Sequence, residues 1–183
     1  MTFSLLGWPA PWRKWQADAP CPTPRRERQE ATREEPDVAD QATEHMTVSA
    51  TPEQCYAVVA DIERYPEWAA DIKEVVVEER DDEGRPLLVT FRAAAFGRSA
   101  SSTLRYDFSE APHILSWKLT KGDITSKWDG SYVFDPEGSG TRVTYHLEAE
   151  LRVPIPGFIK MRAQSRVMST AIRELKARVE SSS

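Results

Sequence analysis

The sequence is short of the residues that build metal sites and disulfide frameworks. Its 183 residues include only two cysteines, Cys21 and Cys55, and three histidines. Two cysteines that lie far apart in the chain form neither a disulfide framework nor a metal-ligand spacing. No histidine stands in a catalytic or metal-binding motif. We therefore expect no metal and no cofactor, and a reducing compartment such as the cytoplasm.

Long apolar runs are absent too. No run approaches the roughly 18 apolar residues that a membrane-spanning helix needs. The first residues, MTFSLLGWPAPWRKW, place their charges after a short apolar patch that Pro9 and Pro11 interrupt, which is unlike a secretory signal. We expect a soluble protein that is not exported. The net charge of −5 argues against a nucleic-acid partner held by bulk electrostatics.

Residues 1–45 lack the apolar periodicity of a folded domain. They contain the charged stretch PRRERQEATREEPD and are rich in proline. Such a segment cannot bury enough apolar surface to offset the entropy cost of ordering it. We predict a disordered extension over residues 1–45 and a folded domain over residues 46–183. Alternatively, a native start near Val38 would leave residues 1–37 outside the natural protein.

The stretch TPEQCYAVVADIERYPEW predicts a broken pair of helices. Thr51 is a good capping residue, Pro52 suits the first helical position, and the apolar residues that follow recur at helical spacing. Pro66 then stops or kinks the chain, and a second short helical turn follows it.

The rest of the chain changes from an alternating to a helical period. Between Ile72 and Leu151, runs of alternating apolar and polar residues are separated by turns such as DDEGRP and DPEGSG, which predicts antiparallel strands with one buried face. After PIPG, apolar residues spaced three and four apart predict one long amphipathic helix. The predicted fold is α+β, a curved antiparallel sheet of about six to seven strands around a long C-terminal helix, with the short helix pair after the first strand.

Several segments also resemble a known family. TPEQCYAVVADIERYPEWAADIKEV, WDGSYVFDPEGSGTRVTYHLEAEL and the PIPGFI before the last helix are similar to the START-like (SRPBCC) superfamily. Within it they resemble the polyketide cyclase/dehydrase and lipid-transport group, to which the coenzyme Q-binding protein family belongs. The resemblance covers about residues 46–180. It implies a helix-grip fold with a tunnel between sheet and long helix, and ligands such as lipids, quinones or polyketides.

The predicted ligand-binding residues combine this tunnel with the apolar strand faces. The resemblance places Tyr65 and Trp68 at the tunnel mouth. The strand faces are rich in large aromatic side chains, which suit a flat or ring-containing ligand. The predicted set is Tyr65, Trp68, Phe91, Tyr106, Trp117, Trp128, Tyr132, Phe134, Met161, Ser165 and Met168.

Catalytic candidates are few. A cyclase needs donors that polarise a carbonyl and a base that removes a proton, and Arg162, Tyr106 and Tyr132 could serve if they point inward. We expect a carrier of a hydrophobic small molecule. The alternatives are a polyketide cyclase/dehydratase and a quinone-binding accessory protein of respiration, which would touch a membrane surface transiently. The sequence leaves the ligand and the oligomeric state open.

Overall fold

A computed structural model describes residues 40–95, 98–152 and 156–182, and the side chains of Asp40, Ala95 and Arg98 are also left undescribed. Within these residues the strands form one antiparallel sheet in the order β1-β7-β6-β5-β4-β3-β2, which places β1 and β2 at its edges. The strands are β1 (Asp40–Val48), β2 (Ile72–Arg80), β3 (Pro86–Ala95), β4 (Arg98–Asp107), β5 (Ile114–Gly122), β6 (Thr125–Glu137) and β7 (Gly140–Leu151).

A helix pair follows the first strand, as predicted. Helix α1 (Pro52–Ala60) starts with a capping box, in which the Thr51 hydroxyl accepts from Gln54 N and the Gln54 side chain accepts from Thr51 N. A short 3-10 turn leads into α2 (Tyr65–Trp68). Pro66 lies in the first turn of α2, where its missing N–H leaves no hydrogen bond unmade.

The long C-terminal helix α3 (Gly157–Ser181) covers the concave face of the sheet. Met168, Ile172, Leu175 and Val179 are buried at spacings of three and four residues. They pack in one core with the inward residues of the strands and with Cys55 and Val59 of α1. The predicted helix-grip α+β fold is therefore confirmed.

The start of the first strand differs from the sequence-based expectation. The described residues begin with β1, which pairs with β7 from Asp40 opposite Ala149 to Val48 opposite Thr141. Residues 40–45, which the sequence assigned to the extension, are thus strand, and residues 1–39 lie outside the described residues. A first strand before the helix pair was predicted, but its start was placed too late, because β1 lies at an edge with polar residues such as Gln41, Thr43 and His45 exposed to solvent.

No helix in the described part of the chain is both long and apolar enough to cross a membrane.

Candidate functional site

The inner face of the sheet carries a continuous cluster of aromatic rings. Tyr132 and Tyr145 lie opposite each other on β6 and β7 and stack, with ring centroids 4.6 Å apart and planes 18° apart. Trp117 of β5 contacts both, at 5.5 Å and 5.7 Å between centroids. Tyr106 of β4 lies opposite Trp117 at 6.1 Å. We call these four residues the aromatic cluster.

Trp117 occupies its place because of a glycine on the next strand. Gly130 lies opposite Trp117, and a Cβ atom at position 130 would come within 2.5 Å of Trp117 Cζ2. The space beside Gly130 is therefore filled by the indole. Trp117 Nε1 is enclosed and has no hydrogen-bond partner in the part of the chain described.

The phenol groups of the aromatic cluster are protonated donors. Burial, with smaller contributions from neighbouring phenols, raises the pKa of Tyr106 and of Tyr132 well above the usual value, and burial alone raises the pKa of Tyr145. Among the described residues, none is placed to hydrogen-bond the hydroxyls of these three tyrosines. The interior thus offers donor hydroxyls that the described part of the chain leaves unused.

The helix pair extends the aromatic surface and is tied to α3. Tyr65 is buried, and its ring lies 4.9 Å from Trp68 and 6.0 Å from Phe91. In contrast to the aromatic cluster, its hydroxyl has a partner, since it donates to Val59 O at 2.6 Å.

Two polar contacts fasten α2 to α3. Arg178 of α3 binds Glu67 of α2 at 2.9 Å, and Ala70 N, just after α2, donates to the Glu174 carboxylate at 3.1 Å. These contacts hold Tyr65 and Trp68 over the sheet.

An opening of about 370 Å³ lies between β1 and the first half of α3. The residues that line it are Gln41, Ala42, Thr43, Glu44, Met161, Gln164, Ser165 and Met168. Gln164 is buried, and its amide nitrogen donates to Leu147 O at 3.3 Å. Leu147 is two residues from Tyr145 on the inward side of β7, so Gln164 connects the opening to the strand that carries Tyr145, although no residue of the aromatic cluster lines the opening itself.

The predicted site residues fall into two groups. Seven of them are buried or partly buried in contacting rings: Tyr65, Trp68, Phe91, Tyr106, Trp117, Tyr132 and Phe134. Met161, Ser165 and Met168 line the opening instead. Trp128 is partly buried against the core. The side chain of Arg162 is exposed and is not brought to the interior, because it lies about 200° around the helix from the buried Gln164.

Two residues of the site were absent from the predicted set. Tyr145 was recognisable from the alternation of β7, which places it in phase with Val143 and Leu147. Gln164 is polar, but it lies three residues after Met161 and four before Met168, and that spacing places all three on one side of a helix.

The interior has little that could act as a general base. In the described part of the chain, the buried polar residues besides tyrosine and tryptophan are Thr125, Thr141 and Gln164. No carboxylate, histidine, lysine or arginine is buried among these described residues. The arrangement can contact rings and donate hydrogen bonds, and proton abstraction there would fall to phenols that burial keeps protonated.

Comparison with known proteins agrees with this architecture. The sequence model of the family described as "Polyketide cyclase / dehydrase and lipid transport" matches residues 39–180. No protein with a curated function matches the chain significantly.

Three solved structures show the same fold. A START superfamily protein from Mycobacterium smegmatis is 24% identical, with a TM-score of 0.74 over 78% of this chain and 99% of that one. A protein from Thermus thermophilus is 23% identical, with a TM-score of 0.67 over 79% and 99% of the two chains. The Zhui aromatase/cyclase from a Streptomyces species is 13% identical, with a TM-score of 0.68 over 77% and 93%.

Proposed function

The chain belongs to the polyketide cyclase/dehydrase and lipid transport family, and we propose that it binds a hydrophobic small molecule between its sheet and α3. The observation that carries this proposal is the aromatic cluster, which presents three phenol hydroxyls without a hydrogen-bond partner among the described residues and in which Trp117 Nε1 is buried without a partner. Buried polar groups are normally paired. A ligand with acceptor oxygens would satisfy these hydroxyls while its apolar part covers the rings.

The chemistry of the cluster narrows the ligand class. Aromatic faces favour planar, ring-containing molecules, and neutral phenols donate to carbonyl or ether oxygens. A quinone or an aromatic polyketide meets both conditions better than a saturated acyl chain does. The opening between β1 and α3, about 370 Å³, falls within the roughly 300–1,000 Å³ of common small-molecule sites.

The residues of this site support ligand binding without catalysis better than they support a cyclase or dehydratase reaction. A cyclase or dehydratase needs a base that can take a proton from carbon. The described interior offers Tyr106, Tyr132 and Tyr145 for that task, and burial raises the pKa of each. A phenol with a raised pKa stays protonated at neutral pH, where it is a poor base and a good hydrogen-bond donor. The aromatase/cyclase neighbour shares only the fold with this chain at 13% identity.

Native mass spectrometry of the protein purified from its own host tests the proposal. We expect an apolar molecule to remain bound under native conditions and to be released under denaturing ones. Its identification would separate quinone, polyketide and lipid. If the protein is repeatedly free of any bound molecule and also fails to take up added quinones and aromatic polyketides, the proposal is wrong. Loss of water from an added polyketide would instead favour the cyclase alternative.

A further inference from the structure

The first turns of α3 expose three large apolar side chains close together in the sequence. Phe158 is 70% exposed, Ile159 41% and Met161 60%. Among the described residues, the only other large hydrophobic side chain so exposed is Val76, on β2. Large apolar side chains grouped on a surface usually mark an interaction site. We call these three residues with Arg162 and Arg166 the α3 entry patch.

Met161 lies on the buried side of α3 but is not itself packed in the core. Met161 precedes Gln164 by three residues and Met168 by seven, so it shares their side of the helix. Gln164 and Met168 are buried against the sheet, whereas Met161 is exposed. The apolar side of α3 therefore extends beyond the part of the helix that packs in the core.

The charges on the patch have one sign. Arg162 and Arg166 lie in the first three turns of α3, and the helix has no acidic residue before Glu174. Basic residues near a helix N-terminus oppose the helix dipole and weaken the helix slightly. They also run against the net charge of −5 of the whole chain. This placement suits an anionic partner outside the molecule.

We propose that the α3 entry patch docks the protein on the surface of an anionic lipid bilayer. A short helical segment with exposed apolar side chains and flanking basic residues fits the boundary between acyl chains and headgroups. A second copy of the chain is a poorer occupant, since a two-fold contact would bring the same basic residues together. Glu44, which lines the opening, is one carboxylate against the two arginines of the patch.

Docking through the patch would also give an apolar ligand a route from the bilayer into the opening. This part of the inference rests on the proposed function. Met161 belongs both to the patch and to the lining of the opening. A membrane on the patch would therefore lie beside the opening, so an apolar ligand could enter from the bilayer with little exposure to water.

Flotation of the full chain with lipid vesicles tests the docking. We expect binding to vesicles of phosphatidylcholine mixed with phosphatidylglycerol, little binding to phosphatidylcholine alone, and a loss with rising salt. Arg162→Glu with Arg166→Glu, or Phe158→Ser with Met161→Ser, should each reduce binding roughly tenfold or more. These positions are exposed, so the fold should be unaffected, which circular dichroism checks.

Two control variants match these changes elsewhere on the surface. Val76→Ser removes an exposed apolar side chain from β2, and Lys118→Glu with Lys121→Glu reverses two exposed charges on β5. Both should bind anionic vesicles as the unaltered chain does. The proposal is overturned if the full chain does not float with anionic vesicles, or if patch and control variants lose binding equally. A probe titration without vesicles reports separately on the interior site, so the two proposals can fail independently.

Discussion

Trp117 and Gly130 face each other on β5 and β6, and the indole of Trp117 lies where the side chain of a larger residue at position 130 would be. The absence of a side chain at Gly130 leaves room for the ring of Trp117, which contacts Tyr106, Tyr132 and Tyr145. The glycine is thus needed for the assembly of the aromatic cluster.

Substitution of Gly130 should therefore destabilise the fold. A Cβ atom there would also come within 2.6 Å of the backbone oxygen of His146, which cannot move aside easily. We expect Gly130→Ala to lower the free energy of unfolding by about 1–3 kcal/mol, and Gly130→Leu to lower it further. Urea denaturation measures both. Gly157→Ala is the matched control, because a Cβ at Gly157 meets nothing within 4 Å, and it should be neutral or slightly stabilising. Equal stability of the Gly130→Ala and Gly157→Ala proteins would contradict the packing described.

Removal of single hydroxyl groups separates ligand contacts from structural ones. Tyr132→Phe takes away a hydroxyl that has no partner among the described residues. We expect this change to weaken ligand binding roughly 3- to 10-fold, the effect of losing one hydrogen bond to the ligand. Tyr65→Phe removes a hydroxyl that already donates to Val59 O. It should lower the melting temperature and leave ligand affinity nearly unchanged. Isothermal titration and thermal denaturation give the two readouts. The reverse pattern would show that the hydroxyl of Tyr132 does not contact the ligand.

The buried tyrosines should make the fold sensitive to alkaline pH. Burial raises the pKa of Tyr132 and Tyr145 in the folded state, whereas in the unfolded chain tyrosine titrates near pH 10. Above about pH 10 the unfolded chain therefore loses protons that the folded chain retains, and stability falls as pH rises. Each such tyrosine contributes a slope of up to about 1.4 kcal/mol per pH unit.

Denaturation curves at several pH values check this dependence. The double variant Tyr132→Phe with Tyr145→Phe should show a shallower decline above about pH 10 than the unaltered chain. Identical slopes for the two proteins would mean that these phenols titrate in the folded state as they do in water.

The grip of α3 on the sheet depends on a few fully buried side chains. Ile172 is 2% exposed, and Ile172→Asp would bury a carboxylate without a partner, at a cost of several kcal/mol, on the order of the stability of a marginal domain. Ser169→Asp, at an exposed position one turn earlier, should cost little. Thermal denaturation compares the two. A folded Ile172→Asp protein with an unchanged melting temperature would contradict the register of α3.

The fold could be predicted from the sequence because its elements follow simple periods. Strands with one buried face alternate at every second residue, and the core side of α3 repeats every three or four residues. These local rules do not determine how side chains on neighbouring strands pack against one another. They could not reveal that Trp117 fills the space at Gly130, because that contact joins two strands through one side chain.

The same limit explains the first turns of α3. Phe158 and Met161 continue the apolar period, so a periodic pattern predicts that they are buried with Met168. Whether they are buried depends on how far the sheet extends beneath the helix, and the local sequence does not encode that distance. Gln164 was missed for the opposite reason, since a polar residue on the buried side of a helix interrupts the pattern on which the prediction depended.

The central claim, that an apolar molecule occupies the space between the sheet and α3, is tested most directly by titration of a fluorescent apolar probe into two matched variants. Ser165→Trp places a large ring in the opening from an exposed helix position, and Ser169→Trp places the same ring one turn later, outside the opening. The unaltered chain and Ser169→Trp should bind the probe with an affinity of roughly tens of micromolar. Ser165→Trp should bind at least tenfold more weakly at unchanged stability. Equal affinities in all three folded proteins, or no saturable binding in any, would contradict the account.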